Sequence, residues 1–390
     1  MDKPKVLISG AGIAGLTLAY FLHEKGFEPI VIEKADSLRN NGYMIDFFSS
    51  GVYVAEQMGL LSELQRRDHH SNRIQQFTEK GKKSLSLDIS TLRNLTKGKL
   101  FNFLRTDLVD ILYQKIKDLV NIRFNQSITE ITQTEREVKV TFEDGQQESF
   151  DYVVGADGIH SNVRRLVYSR HEVKVFQLGY YVAGLIHNVS TPVKKGEVLS
   201  MLCPKRQIMT YTSGDGMSTS LFVFKSDPLP RLNHREKVDI LYKEFADFIH
   251  PVPDILSIAE QDPNLYFDEV SQIKIQGSWH KNRVALIGDA AYCITLLSGQ
   301  GASMAMTGAY VLAEELAKYQ SPKGFESYER KLRPTIEKMQ KKAVKNAASY
   351  LPSTNFSLWL RNLLAPLLFS RLFAPLVIRQ LGAGNYFKDA

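Results

Sequence analysis

Only two cysteines, Cys203 and Cys293, occur in the 390 residues, so neither a disulfide framework nor a C-x-x-C redox pair can be built. Metal-binding patterns are missing too. H-E-x-x-H does not occur, and His69-His70 is a lone pair on a polar stretch that reads as solvated. No Ser-His-Asp arrangement offers itself for nucleophilic catalysis, and Cys293 reads as a small apolar filler rather than a nucleophile. Long uncharged apolar runs are scarce. The greasiest stretch, FSLWLRNLLAPLLFSRLFAPLVIRQLGAG, is interrupted by Arg361, Arg371, Arg379, Pro366 and Pro375. It falls short of the ~20 apolar residues needed to span a bilayer. A strand-like VLISG begins a few residues after Met1, so no signal peptide is expected and a cytoplasmic location is.

What is present suits a globular protein of two or three domains, because 44% of the residues are hydrophobic and the chain is long enough to bury more than one core. The net charge of +7 is uneven: Lys318 to Asn346 carries nine Lys/Arg against three Glu. That run reads as a solvated helix face, or as a surface attracting an anionic cofactor or lipid. Without a recognition module around it, nucleic acid is not expected as a partner.

KVLISGAGIAGLTLAYFLHEKGFEPIVIEK opens the chain. An apolar strand runs into Gly10, Gly12 and Gly15 in G-x-G-x-x-G spacing, a helical pattern follows, and a second strand ends at Glu33. Gly10 permits the tight turn, Gly12 lets backbone approach a pyrophosphate, and Gly15 allows helix to pack closely on strand. The helix N-terminus offers free N–H groups to phosphates. Glu33 accepts from a ribose diol and disfavours a 2′-phosphate, which favours FAD or NAD over NADP as the resident dinucleotide. Residues 120–150 alternate like a meander of strands. DYVVGADGIHSNVRR then brings another strand into Asp157-Gly158, with Ser161 and Arg164 on one helical face. A third strand, Val284 to Ile287, ends in Gly288-Asp289, before Gly299-Gln300-Gly301 opens a helix rich in small residues.

Together these three motifs, with Arg105 in FLRTDL, SWHKNRVALIGDA and YERKLRP, resemble the group A flavoprotein monooxygenases of the p-hydroxybenzoate hydroxylase fold. The tetracycline-inactivating members of that family look nearest. GYMIDFFSSGVYVAEQMGLL, LGYYVAG and the run IKI…SW…GDAAYC…LSGQG carry that likeness. The resemblance implies an α/β fold: a FAD-binding Rossmann-like domain with an inserted, mostly antiparallel substrate-domain sheet and a C-terminal helical segment. The expected division is 1–72, 98–172 and 277–345 for FAD, 73–97 and 173–276 for substrate, and 346–390 for the helical segment.

The resemblance also implies that one extended FAD spans the motifs. Its contacts would come from Gly10, Gly12, Ala14, Gly15, Glu33, Lys34, Arg105, Asp157, Gly158, Gly288, Asp289, Gly299, Gln300, Gly301 and Ala302. Arg39 and Arg164 are further candidates for phosphate contact, or equally surface ion-pair partners. NADPH or NADH would reduce the flavin transiently, since no second G-x-G-x-x-G has strand and helix context. Dioxygen would then form the hydroperoxide that hydroxylates a polycyclic or phenolic substrate, tetracycline-like or a related aromatic, with the flavin rather than a side chain carrying the chemistry.

Two departures from the family pattern stand beside the expected ring site: Leu296 replaces the usual Pro, and Ser303 the frequent Asn. Substrate contacts are expected at Arg206, Tyr181, Tyr211 and Thr219, the last where some relatives have His. Tyr180, Met209, Phe222 and Phe224 are further candidates for a pocket wall or for core. The C-terminal segment is expected to bridge the domains near the substrate entrance, with interfacial membrane contact as the alternative, in a monomeric protein. Rival readings are a flavin reductase or epoxidase of a lipophilic substrate and a non-catalytic flavin-binding sensor. A halogenase is excluded, because Trp279 and Trp359, the only tryptophans, cannot form W-x-W.

Overall fold

The computed structural model describes residues 3–38, 42–212, 216–370, 372–375 and 386–389. A six-stranded sheet runs in the order His280–Lys281, Val284–Leu286, Tyr152–Gly155, Lys5–Ser9, Glu28–Ile32 and Asn121–Arg123. All pairings are parallel except that of the short first strand with Val284–Leu286. The inner strands are almost wholly buried and apolar, as a sheet covered on both faces requires. In register, Ser9 lies beside Ile32 and Gly155, and Gly155 beside Leu286. Gly10, Glu33, Asp157 and Asp289, distant in sequence, therefore follow strand ends along one edge, where open α/β sheets bind ligands.

The first turn is held by close approaches that only glycine allows. Gly10 has φ +113°, and a Cβ there would come 2.6 Å from the Ala156 carbonyl oxygen. A Cβ on Gly15 would come 1.9 Å from the Gly10 carbonyl oxygen. Helix Ile13–Glu24 can thus lie directly on the strand end, beside helix Gly301–Tyr319 in the same core.

A seven-stranded sheet forms the second layer, in the order Tyr266–Ile275, Val173–His187, Ser218–Lys225, Arg206–Thr212, Glu197–Cys203, Arg73–Phe77 and Lys83–Asp88. It is antiparallel apart from the pairing of Glu197–Cys203 with Arg73–Phe77. Side chains alternate across it. One face, with Tyr181, Phe222 and Phe224, packs beneath helices His234–Phe245 and Val252–Gln261. The other, with Tyr180, Val182, Leu221 and Val223, faces the rest of the molecule. A two-stranded ribbon, Met44–Phe48 with Leu100–Leu104, lies apart from both sheets.

The expected meander is only partly formed. Ile128–Gln133, Val138–Phe142 and Gln147–Phe150 make a three-stranded sheet, whereas Asn121–Arg123 joins the edge of the parallel sheet, with Ile122 opposite Val31. Helix Lys323–Tyr350 leads into Asn355–Leu368, whose start is fixed by a Thr354–Ser357 capping box. Among the described residues no helix is long and apolar enough to cross a membrane.

Gly15→Ala places a methyl against backbone rather than a movable side chain. The variant is expected to lose about 1–3 kcal/mol of stability, read as a lowered midpoint in urea unfolding of the purified protein.

Candidate functional site

A cavity of about 170 Å³ opens at the parallel-sheet edge, lined by Gly10, Gly12, Glu33, Lys34, Arg105, Asp157 and Gly158. Glu33 is pinned at its strand end: its Oε2 accepts from the Ala11 amide at 3.0 Å and its Oε1 from the Ala35 amide at 3.1 Å. Asp157 Oδ2 accepts from the amides of Asn162 and Val163 at 2.7 and 3.0 Å. Its Oδ1 is buried without a partner. Burial pushes the Asp157 carboxyl above its ordinary range, against the hydrogen bonds from Ser161 and the neighbouring amides.

A second cavity, of about 570 Å³, lies between the two layers and shares Gly12, Arg105, Ala156 and Gly158 with the first. The two form one trough that passes Arg105. Just beyond Arg105 lie Ala14, Asp289, Gly299, Gly301 and Ala302. Asp289 follows Gly288, which holds φ +58°. Burial raises the Asp289 carboxyl, opposed by the charge of Arg105. Gln300 occupies the N-cap position of helix Gly301–Tyr319, and a Cβ on Gly299 or Gly301 would meet nothing within 4 Å. The positive end of a 19-residue helix therefore lies at an open stretch of the trough. At the rim, His160 Nε2 lies 3.5 Å from Asp268 Oδ1, and that carboxylate raises the imidazole pKa.

Beyond this turn the walls are mostly apolar, with Ile74, Val182, Met209 and Leu221 supplied by the open face of the large sheet. A polar cluster interrupts them. Asp46, on the ribbon, lines the cavity and accepts from the Asn102 side-chain amide. Asn102 in turn accepts from Arg93. Arg93 is held by a bidentate pair with Asp68, at 2.7 and 3.0 Å, and donates to the Ser71 carbonyl at 3.0 Å. Burial raises the Asp46 carboxyl, while Asn102 and Arg93 pull the other way. Tyr211 and Tyr350 line the same chamber. Burial pushes the Tyr350 phenol up to about 12.

The sequence-based candidates divide clearly. Gly10, Gly12, Ala14, Glu33, Lys34, Arg105, Asp157, Gly158, Asp289, Gly299, Gly301 and Ala302 line the trough. Gly15, Gly288 and Gln300 shape its turns without lining it. Arg39 lies outside the described residues. Arg164 is a correction: it is 8% exposed and donates to the Ala290 and Ile159 carbonyls, so it ties the Asp157 turn to the short helix Asp289–Tyr292 rather than offering a surface cation.

Of the expected substrate contacts, Tyr211 lines the cavity. Arg206 and Tyr181 fall on the opposite face of the sheet. Arg206 pairs with Asp247 at 2.7 and 3.0 Å and lies over Phe248, while Tyr181 receives the Leu229 amide. Thr219 pairs with Tyr211 across the strands but is buried beyond the cavity wall. Asp46, Asn102 and Arg93 were not anticipated. The lone acid on the apolar strand MIDFF was the available signal.

The donor set suits an extended dinucleotide: glycines leave open backbone, Glu33 and the unpartnered Asp157 Oδ1 stand along the narrow part, and a helix N-terminus meets the wider part. Comparisons with known proteins agree with this. A family model described as FAD binding domain matches residues 3–343. A flavin-dependent monooxygenase from an unknown prokaryotic organism is 33% identical over 363 residues, covering 89% of this chain and 90% of its own. A flavin-dependent monooxygenase of Legionella longbeachae serogroup 1 (strain NSW150) is 33% identical over 362 residues, with the same coverage. The crystal structure of tetracycline destructase Tet(51) superposes with a TM-score of 0.85 at 28% identity, covering 98% of each chain.

Because Arg105 lines both parts of the trough, Arg105→Ala is expected to weaken FAD retention about tenfold to a hundredfold, the worth of a charge-assisted contact. Titration of the apoprotein by flavin fluorescence measures it.

Proposed function

The chain belongs to the FAD-binding-domain family and is a FAD-dependent monooxygenase, and from that premise we propose that it hydroxylates a polycyclic or phenolic small molecule at the expense of NADPH or NADH. The observation that carries the reading is the large apolar chamber continuous with the Asp289 and Gly299–Gly301 turn. Its roughly 570 Å³ takes in the turn at Asp289 and Gly299–Gly301, so it is to be shared between the flavin ring and a substrate lying against the apolar wall. The likeness to a tetracycline destructase makes tetracycline-like antibiotics the first substrate class to test.

In this reading Gly10, Gly12 and the start of helix Ile13–Glu24 hold the pyrophosphate, Glu33 takes the adenosine ribose, and Arg105 and Asp157 border the middle of the cofactor. Asp289 takes the ribityl chain, and Gly299–Gly301 border the ring. Residues 1–72, 98–172 and 277–345 then serve FAD, while 73–97 and 173–276 serve the substrate, leaving 346–390 as the C-terminal segment. Bound there, FAD supplies the redox chemistry, accepting electrons from reduced nicotinamide and activating dioxygen.

The chain's own residues have three tasks. The helix at Gly301 stabilises negative charge developing beside its N-terminus. The apolar wall of Val182, Met209 and Leu221 keeps water from the reacting region. Asp46, fixed by Asn102, orients a hydroxyl or amine donor at the polar end of the substrate, so that a chosen carbon is presented to the ring.

NADPH and NADH consumption by the FAD-loaded protein, with tetracyclines, anthraquinones and simple phenols, tests the proposal. Stimulated consumption with a product one oxygen atom heavier is expected, and failure of the flavin to be reduced by either nucleotide would sink it. With an accepted substrate, Asp46→Asn is expected to raise KM about tenfold or more, with a smaller effect on kcat. Arg206→Ala is expected to leave KM unchanged.

A further inference from the structure

Helix Asn355–Leu368 is amphipathic the wrong way round. Leu358, Arg361, Asn362 and Ala365 turn inward. Arg361 donates to Gln76 Oε1 at 3.0 Å, and Asn362 accepts from Gln76 Nε2 at 3.0 Å. Phe356, Trp359, Leu360, Leu363, Leu364 and Leu367 recur at three- and four-residue steps on the outside, with Phe356 70%, Trp359 59% and Leu363 59% exposed. Such a contiguous stripe of large apolar groups on a surface marks an interaction site.

Charge decides what covers it. From Lys338 to Lys388 the sequence holds eight Lys/Arg and no Asp or Glu, although Arg361 turns inward onto Gln76 and Lys342 is half-buried. Lys338, Lys341 and Lys345 are exposed on the helix that leads into this one. A second copy of the chain would bring the same three exposed lysines of the preceding helix, whose mutual repulsion opposes self-association on this side. An anionic bilayer satisfies both features at once: headgroups attract the cations while the Trp, Phe and Leu side chains enter the acyl boundary.

We propose that helix Asn355–Leu368 docks the protein peripherally on an anionic lipid surface. The residues bracketing this helix, Tyr350 and Phe369, both line the large cavity. Docking therefore sets the cavity beside the bilayer, a source of lipophilic substrate. That last consequence rests on the monooxygenase reading; the docking does not.

The test uses the FAD-loaded full chain with vesicles of phosphatidylcholine alone, or with about a third phosphatidylglycerol. Co-sedimentation with the anionic vesicles, weakening with salt, is expected. Trp359 emission should shift to the blue, which is legible because Trp279, the other tryptophan, is buried. Leu363→Glu/Leu367→Glu alters only exposed side chains and is expected to keep its flavin and bind about tenfold more weakly or less. The proposal is overturned if the wild-type chain stays in the supernatant with anionic vesicles. Unchanged binding by the double variant overturns it too. So does a dimer in sedimentation velocity that this variant abolishes, since the stripe would then belong to a second copy. None of these readouts needs turnover.

Discussion

Gly10 meets Ala156 backbone to backbone, and the long trough depends on that approach. Any side chain at Gly10 would force the Ala156 carbonyl away by its 2.6 Å Cβ contact. The first turn and the Asp157 turn would then part. Because they do not, Glu33 and Asp157 border the same narrow cavity, and Arg105, Ala156 and Gly158 carry it into the wide one. The parallel register supplies the rest. Strand ends that stop at the same level put four motifs, drawn from across nearly three hundred residues, along one edge. A ligand long enough to touch them all is what that edge is shaped for.

The large sheet sorts its residues by a simpler rule, the two-residue alternation of a strand. Its helix-covered face is a conventional core, where Phe222, Phe224 and Phe245 meet edge to face. Its other face looks across the cavity toward the ribbon that carries Asp46. A one-residue change of parity would exchange the two populations. Arg206 shows the cost of misjudging it. On the helix-covered face its charge is compensated by Asp247, so it braces the sheet against the loop after helix His234–Phe245 instead of meeting a ligand.

The parts legible in the sequence were those set by local chemistry. Glycine spacing, strand ends and an acid after the second strand are short-range signals, and their residues line the trough or, like Gly15 and Gly288, shape its turns. The substrate chamber was less legible because its identity depends on register. Tyr181 and Tyr180 are neighbours in sequence, yet only parity decides which of them turns toward the helices. The same holds for the polar cluster. Asp46, Asp68, Arg93 and Asn102 are assembled by ribbon pairing and a bidentate ion pair, and neither is visible in a window of ten residues. Arg164 was misjudged for a different reason. A helical step puts it beside Ser161, but burial then spends its guanidinium on backbone carbonyls.

Ser303, which in the sequence departs from the family pattern, has a packing reason. Its hydroxyl donates to the Phe48 carbonyl at 2.9 Å, and a Cβ on Gly51 would come within 2.7 Å of it. Thr307, one turn on, donates to the Ser303 carbonyl at 2.7 Å, and its hydroxyl lies 2.9 Å from that of Ser50. A longer amide at position 303 has no room on this side. The helix whose N-terminus opens on the large cavity is thereby clamped to the segment that follows strand Met44–Phe48, and Asp46 is on that strand. The two ends of the chamber are held at a fixed separation by a serine and a glycine. Small side chains at these positions follow from close packing between the two elements.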